Sequence, residues 1–134
     1  CWPDRIVFSL DGMGIADSAP RAMANAAAST AQLVGIAPQD FQFVIPHQAG
    51  TAIVRLAGMK LEEAGFSGNL INGLTADVGN ISSCSVPYAL KQNWHQLSGN
   101  IVCPVAAVGA PGKPEISQGC IVFRAVSPRR AQAA

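Results

Sequence analysis

The sequence is poor in charge and in aromatic residues, since 13% of its 134 residues are charged and 6% are aromatic. The net charge is +1, so the composition does not indicate binding to nucleic acid or to an acidic membrane surface. The longest apolar run, Ile101–Val108, is far shorter than the about 20 residues that span a bilayer, and no signal peptide is visible. We therefore expect neither a nucleic-acid partner nor a membrane partner.

Cysteine and histidine are also scarce. The four cysteines, Cys1, Cys84, Cys103 and Cys120, show no Cys-x-x-Cys spacing, and with two scattered histidines they form no metal signature. We predict no metal and no cofactor. Free thiols in an apolar chain favour a reducing cytoplasm, although an even number of cysteines leaves disulfides open.

Apolar residues make up 49% of the chain, which is a globular composition. The length suits one domain with a real core, which we place at residues 1–126, followed by a flexible tail at 127–134. The first residue is Cys1 and not Met, so we interpret the chain as a processed product or an excised fragment.

Hydrophobic periodicity predicts an α/β domain with the order βαβαβαββ and a mostly parallel, five-stranded sheet. Pro104 implies a bulge or an edge position in its strand. Asp17 or Ser18 is expected to cap the first helix, with Pro20 in its first turn. The predicted strands are Ile6–Leu10, Phe41–Ile45, Asn69–Asn72, Asn100–Val108 and Gly119–Arg124; the predicted helices end at Val34, run from Gly50 to Ala64, and run from Ser82 or Ser83 to about Gln96.

The stretch from Phe41 to Gly50 organises the chain. Its apolar run ends at Pro46, which lacks the N–H that a strand ladder needs, and His47 follows at once. His47 is therefore predicted at the carboxyl end of a strand, the edge where α/β sheets bind ligands. A turn histidine that only hydrogen-bonds its neighbours is the alternative interpretation.

A second stretch, Gly79–Leu90, joins a Gly-Asn turn to a helix start. Pro-His-Gln-Ala at Pro46–Ala49, followed by Gly-Asn-x-Ser-x-x-Ser-x-Pro-x-Ala-Leu, resembles the β-ketoacyl-acyl carrier protein synthase III family of thiolase-fold condensing enzymes. The resemblance runs from about Leu10 to Arg124. It implies that this domain is the C-terminal half of a thiolase-like fold.

The resemblance also implies a decarboxylative Claisen condensation of an acyl thioester with a malonyl thioester, in fatty acid or polyketide biosynthesis. His47 and Asn80 would be the catalytic pair, two neutral donors that stabilise the enolate. The partners implied are acyl-CoA or acyl carrier protein thioesters, an N-terminal half missing here, and a second copy in a full-length homodimer.

In the family the acylated cysteine comes from the N-terminal half. We interpret Cys84, near a helix start, as a small buried residue and not as the nucleophile; Cys103 and Cys120 read as core, and Cys1 as incidental. The loop with Gly109 and Gly112 aligns with a Gly-x-Gly loop whose backbone binds substrate, with an ordinary turn as the alternative.

Some residues depart from the family pattern. The family continues His-Gln-Ala with Asn-x-Arg, whereas this chain has Gly50, Thr51 and Ala52. The missing arginine weakens the case for standard carrier-protein docking, and the altered segment leaves a thiolase-fold acyltransferase open as an alternative. The absent nucleophile leaves a second alternative open, an inert interaction half-domain. His95 is predicted at the surface. The alanine-rich helix from about Ala19 to Val34 is expected to present the apolar face to the other half.

Overall fold

A computed structural model describes residues 12–108 and 116–126. From the second predicted element onward the order of helices and strands agrees with the prediction, except that one additional short helix lies before the last predicted helix. The predicted strand Ile6–Leu10, the loop with Gly109 and Gly112, and the tail 127–134 lie outside the described residues. The helices are α1 Gly12–Val34, α2 Thr51–Glu63, α3 Thr75–Val78 and α4 Ser85–Asn93; the strands are β1 Phe41–Val44, β2 Asn69–Leu70, β3 Gly99–Val108 and β4 Ile116–Ala125.

The four strands of the described part form one mixed sheet in the order β2-β1-β3-β4. β1 pairs in parallel with both β2 and β3, and β4 pairs antiparallel with β3 from Gly99↔Ala125 to Val108↔Ile116. The expected mostly parallel sheet with one antiparallel neighbour at its end is confirmed for these strands. No helix in the described ranges is long and apolar enough to cross a membrane.

Two apolar clusters lie on the two faces of this sheet. Helices α1 and α2 cover one face, where Met23, Phe41 and Leu61 are buried, and α4 covers the other, where Phe43, Ile45 and Ile101 are buried. Phe41 and Phe43 would share a face in a regular strand, but the register shifts between them against β3. The shift therefore sends the two phenylalanines into different clusters.

Helix α1 begins earlier than predicted, at Gly12, and Pro20 lies in its interior. Asp17 and Ser18 are not caps: the Asp17 carboxylate accepts a hydrogen bond from Arg21, and the Ser18 hydroxyl donates to the Gly14 carbonyl one turn back. Polar side chains that bond along the helix satisfy themselves without ending it.

The expectation that α1 presents a free apolar face is also wrong. Its alanines at 19, 22, 24, 26, 27 and 31 are buried within this chain, where α1 packs against α2 and the sheet. Small side chains let the helices approach closely, and alanine also favours the helix itself. The buried alanines are therefore not available to another half, and the large apolar side chains that α1 leaves exposed are Met13, Leu33 and Val34.

Pro104 is neither at a bulge nor in an edge strand, because β3 lies between β1 and β4. β1 ends at Val44, so the chain beside Pro104 is the loop that carries His47. The Pro104 carbonyl accepts a hydrogen bond from the His47 backbone N–H at 2.9 Å. The contact on this side uses the Pro104 carbonyl and needs no N–H from Pro104, so the interior strand tolerates the proline.

Candidate functional site

His47 lies where the sequence predicts, in the loop between β1 and α2. The loop stays attached to β3 by two backbone hydrogen bonds, from Ile45 N to Val102 O at 2.8 Å and from His47 N to Pro104 O. His47 itself is half-buried. Its backbone is therefore fixed at the carboxyl end of β1, while part of the ring remains accessible.

The ring is held by Ser85, the first residue of α4. His47 Nδ1 and Ser85 Oγ are 2.6 Å apart, and the Gln48 backbone N–H donates to the same oxygen at 3.2 Å. Ser85 is 1% exposed. One buried hydroxyl thus joins the loop after β1 to the start of α4, the helix that covers the cluster of Phe43, Ile45 and Ile101.

Gln48 anchors the same loop from inside. Its side-chain amide donates to the Pro46 carbonyl at 2.9 Å and to the Ile71 carbonyl at 3.1 Å, and the residue is 2% exposed. Ile71 N in turn donates to Val44 O at 3.0 Å. The chain segments that leave β1 and β2 therefore emerge side by side at one edge of the sheet, as parallel pairing requires.

Asn80 lies on the second of these segments, between α3 and α4. Its Oδ1 accepts a hydrogen bond from the Ser82 backbone N–H at 2.9 Å. Gly79 has φ +68° and Ser82 has φ +55°, a left-handed conformation that a serine rarely adopts. Asn80 is exposed, and no hydrogen bond within the described residues joins it directly to His47. The connection between Asn80 and His47 is indirect: Asn80 lies in the segment 79–85, and this segment ends at Ser85, whose hydroxyl is bonded to His47.

Burial shapes the ionisation of the site. It lowers the pKa of His47 below the usual 6.5, because the charged imidazolium loses water. Burial raises the pKa of Cys103 to about 12 and also raises that of Cys120, so neither thiol is suited to nucleophilic attack. Cys103 is a core residue, as predicted, whereas Cys120 is only partly buried and packs against the cluster that contains Phe41. Within the described residues no group of three His, Cys, Asp or Glu side chains is placed to hold a metal.

The prediction that Cys84 is buried is wrong. Cys84 is exposed at the residue before α4, because the tight turn at Ser82–Cys84 directs its side chain away from the core. His95 is exposed as predicted. Gly109, Gly112 and Cys1 lie outside the described residues, so the substrate-binding role of the glycines stays a prediction.

The two sequence motifs therefore meet at one edge of the sheet, through Ser85. A comparison with known families decides what this arrangement is: the family model for the C-terminal domain of 3-oxoacyl-[acyl-carrier-protein] synthase III matches residues 31–110. The chain belongs to this family. The matched range contains β1, the His47 loop, the Asn80 segment and β3.

This chain is similar to two curated relatives over part of its length. It is 34% identical over 83 residues to the β-ketoacyl-[acyl-carrier-protein] synthase III of Desulfotalea psychrophila, covering 62% of this chain and 25% of that protein. It is 32% identical over 87 residues to the enzyme of the same name from Oleidesulfovibrio alaskensis, covering 65% and 26%. The chain spans about a quarter of the length of these relatives.

Comparison with solved structures shows that the fold is similar as well. The synthase III C-terminal domain superposes on the 3-oxoacyl-(acyl carrier protein) synthase III of Pseudomonas aeruginosa with a TM-score of 0.69 at 24% identity, covering 87% of this chain and 34% of that one. The Aquifex aeolicus enzyme gives 0.69 at 22% identity, with 87% and 36% covered. The predicted half of a thiolase-like fold is confirmed.

Two residues of the synthase III C-terminal domain were missed by sequence reasoning. Ser85 and Gln48 both stand inside the motifs that carry the resemblance, but the sequence assigned neither a role. Ser85 bonds to residues 37 and 38 positions away along the chain, and the Gln48 side chain bonds to Pro46 and to Ile71, 23 positions away; these distant pairings are beyond the reach of a local pattern. For Ser85 the available signal was a polar residue flanked by apolar ones at the start of a helix that must pack.

Proposed function

We propose that this chain is the C-terminal catalytic half of a 3-oxoacyl-acyl carrier protein synthase III-like enzyme, with His47 and Asn80 as its enolate-stabilising pair. The observation that carries the proposal is the hydrogen-bonded junction at Ser85, which attaches the His47 loop to the segment that begins with Asn80. The fold and the family membership agree with this function.

Both side chains are suited to donate to a developing negative charge. Asn80 Oδ1 is occupied by the Ser82 N–H, which leaves the Asn80 amide N–H₂ to face a ligand. The lowered pKa keeps the His47 ring neutral at neutral pH. Fixed neutral donors of this kind are worth about 2.7–4 kcal/mol each where one has been removed from an oxyanion hole.

The reaction follows from these donors. The bond between the α-carbon and the carboxylate of a malonyl thioester breaks, carbon dioxide leaves, and the electron pair moves to the thioester oxygen as an enolate. The enolate carbon then attacks an acyl group carried as a cysteine thioester, and the thiolate leaves. Burial raises the pKa of Cys103 and of Cys120, and Cys84, although exposed, is not at the position of the family's acylated cysteine, so we assign the nucleophile to an N-terminal half outside this chain.

The partners and the setting of the proposed enzyme are those that the family resemblance implies. We propose acyl-CoA or acyl carrier protein thioesters as substrates, fatty acid or polyketide biosynthesis as the pathway, the cytoplasm as the location, and a homodimer of the full-length protein. The free cysteines of the described residues are compatible with a reducing compartment.

Decarboxylation in the full-length protein tests the proposal. His47→Ala and Asn80→Ala should each lower the release of carbon dioxide from a malonyl thioester by about 10²–10³-fold, the loss seen when one oxyanion donor is removed. His95→Ala is the matched control, because His95 is exposed and lies away from the motifs. Unchanged decarboxylation in both site variants would refute the assignment, as would condensation by the 134-residue chain alone.

Acyl transfer to an alcohol or amine is a second candidate. The residues Gly50, Thr51 and Ala52 favour it, because they replace the family's Asn-x-Arg at the start of α2, and Thr51 instead contacts the hydroxyl of Thr75 at 3.2 Å. An acyl acceptor assay without malonyl thioester separates the candidates. An inert interaction half-domain would release no carbon dioxide and transfer no acyl group in the full-length protein.

A further inference from the structure

We propose that Ser85 is a positioning residue: its hydroxyl donates to His47 Nδ1, holds the neutral ring as the Nε2–H tautomer, and leaves that N–H free to donate to a substrate oxygen. The inference rests on the proposed role of His47 and deepens it, because it says which ring nitrogen can donate and what fixes the choice.

The two hydrogen bonds at Ser85 Oγ divide its donor and acceptor capacity. A hydroxyl has one proton to donate and two lone pairs to accept. The Gln48 backbone N–H can only donate, so at 3.2 Å it takes one lone pair. The contact of 2.6 Å with His47 Nδ1 is the remaining strong interaction, and either atom is able to supply its proton.

Burial decides between the two directions. Ser85 is 1% exposed, and within the described residues its hydroxyl has no partner besides Gln48 N and His47 Nδ1. If Nδ1 carried the proton, Ser85 would accept two hydrogen bonds and its own proton would be buried without an acceptor. If Ser85 donates, its own proton, the Gln48 backbone N–H and His47 Nδ1 all have partners, which is the arrangement that protein interiors favour.

The junction is rigid on both sides. The Gln48 side chain fixes the His47 loop through the Pro46 and Ile71 carbonyls, and the Ser85 backbone N–H donates to the Ser82 carbonyl at the start of α4. The backbone on each side of the contact is therefore fixed by hydrogen bonds other than the contact itself. Ser85 thus orients the ring and at the same time belongs to the segment that carries Asn80.

Nitrogen NMR of the imidazole rings tests the tautomer directly. In the ¹⁵N-labelled 134-residue chain at a pH well above the His47 pKa, Nδ1 should show the shift of an unprotonated nitrogen and Nε2 that of a protonated one. The chain has two histidines, so His95→Gln assigns the signals. A wild-type spectrum with the proton on Nδ1 would overturn the proposal, whatever the variants do.

Variants show that Ser85 is the cause. Ser85→Ala should reduce the preference for the Nε2–H form by about tenfold, the change that one ordinary hydrogen bond supports. Ser85→Thr retains the hydroxyl and should restore the preference. Ser83→Ala is the matched control, an exposed serine of the same turn, and should leave the spectrum unchanged. A folded Ser85→Ala protein with the wild-type tautomer would contradict the proposal.

The tautomer measurement and the decarboxylation assay can fail independently of each other. An Nε2–H ring in a full-length protein that does not decarboxylate malonyl thioesters would refute the condensing role and leave the Ser85 assignment intact. Decarboxylation with an Nδ1–H ring would support the condensing role and refute the Ser85 assignment.

Discussion

The two sides of the sheet are built on different principles. On the α1–α2 side, alanines and a few large apolar residues fill the space, and no polar side chain is fully buried among the described residues there. Two polar side chains, Gln48 and Ser85, are buried at the sheet edge near the start of α4. Ser85 Oγ accepts a hydrogen bond from the Gln48 backbone N–H, and the Gln48 side chain donates to the Pro46 carbonyl. Apolar burial is non-directional, whereas hydrogen bonds fix orientation, so the first region supplies stability and the second supplies geometry.

Truncation at the centre of the apolar side should have the largest effect. Phe41 is 1% exposed and its ring centroid lies 5.5 Å from that of Phe66. Phe41→Ala should lower the free energy of unfolding by about 3–5 kcal/mol, measured by urea denaturation, because it removes buried area and leaves a cavity. Leu33→Ala is the control: Leu33 is 85% exposed, and its loss should change stability by less than about 0.5 kcal/mol.

The same Phe41→Ala variant sharpens the contrast between the two regions. At a temperature where it remains folded, the His47 ring signals should keep their wild-type tautomer, since Phe41 belongs to the opposite cluster. A changed tautomer would show that the two regions are coupled and not independent.

A substitution at the buried polar residue Gln48 should lower the stability less than Phe41→Ala does, but it should loosen the His47 loop more. Gln48→Leu keeps most of the volume but removes the donors to the Pro46 and Ile71 carbonyls. We expect a loss of about 1–3 kcal/mol in the free energy of unfolding, because two carbonyls are left without partners. Faster amide exchange at residues 45–50 should accompany the loss. Gln92→Leu, at an exposed position of α4, should show neither effect.

The pH dependence should give the smallest effect. The His47 pKa is lowered in the folded chain, so between that value and 6.5 the unfolded chain binds more protons. The free energy of unfolding should therefore fall as the pH drops below 6.5 and level off, as far as His47 is concerned, below the folded pKa. Urea titrations at a series of pH values should show a flatter stability profile for His47→Gln than for the wild type; equal slopes in the two proteins would contradict the burial argument.

The regular elements were predictable from local signals. Helix α2 begins after Gly50 and is followed by Gly65 at φ +91°, and both ends match the prediction because glycine marks them. The four-residue helix α3 was missed, since Thr75–Val78 carries no apolar periodicity. The early start of α1 was missed because Asp17 and Ser18 resemble caps in isolation, and only the structure shows them bonding along the helix.

The position of the candidate site could be predicted from the sequence, but its hydrogen bonds could not. His47 and Asn80 could be placed on loops at one edge because parallel strands direct their carboxyl ends together. The contact of His47 with Ser85 depends on how α4 packs over the sheet, which involves Val86 and Ala89 in the cluster with Phe43. The exposure of Cys84 depends on the tight turn Ser82–Cys84 that precedes α4. Such details follow from tertiary packing, which no short stretch of sequence encodes.

The antiparallel pairing of β3 and β4 has a consequence for the order of events during folding. Its ten register pairs join residues separated by at most 26 positions, whereas the pairs between β1 and β3 span 58 or 59. Closing the longer loop has the larger entropic cost, and non-local pairing is slow. We expect the hairpin to form early and the parallel strands to dock on it later. A nascent chain would thus acquire its histidine junction among its last steps.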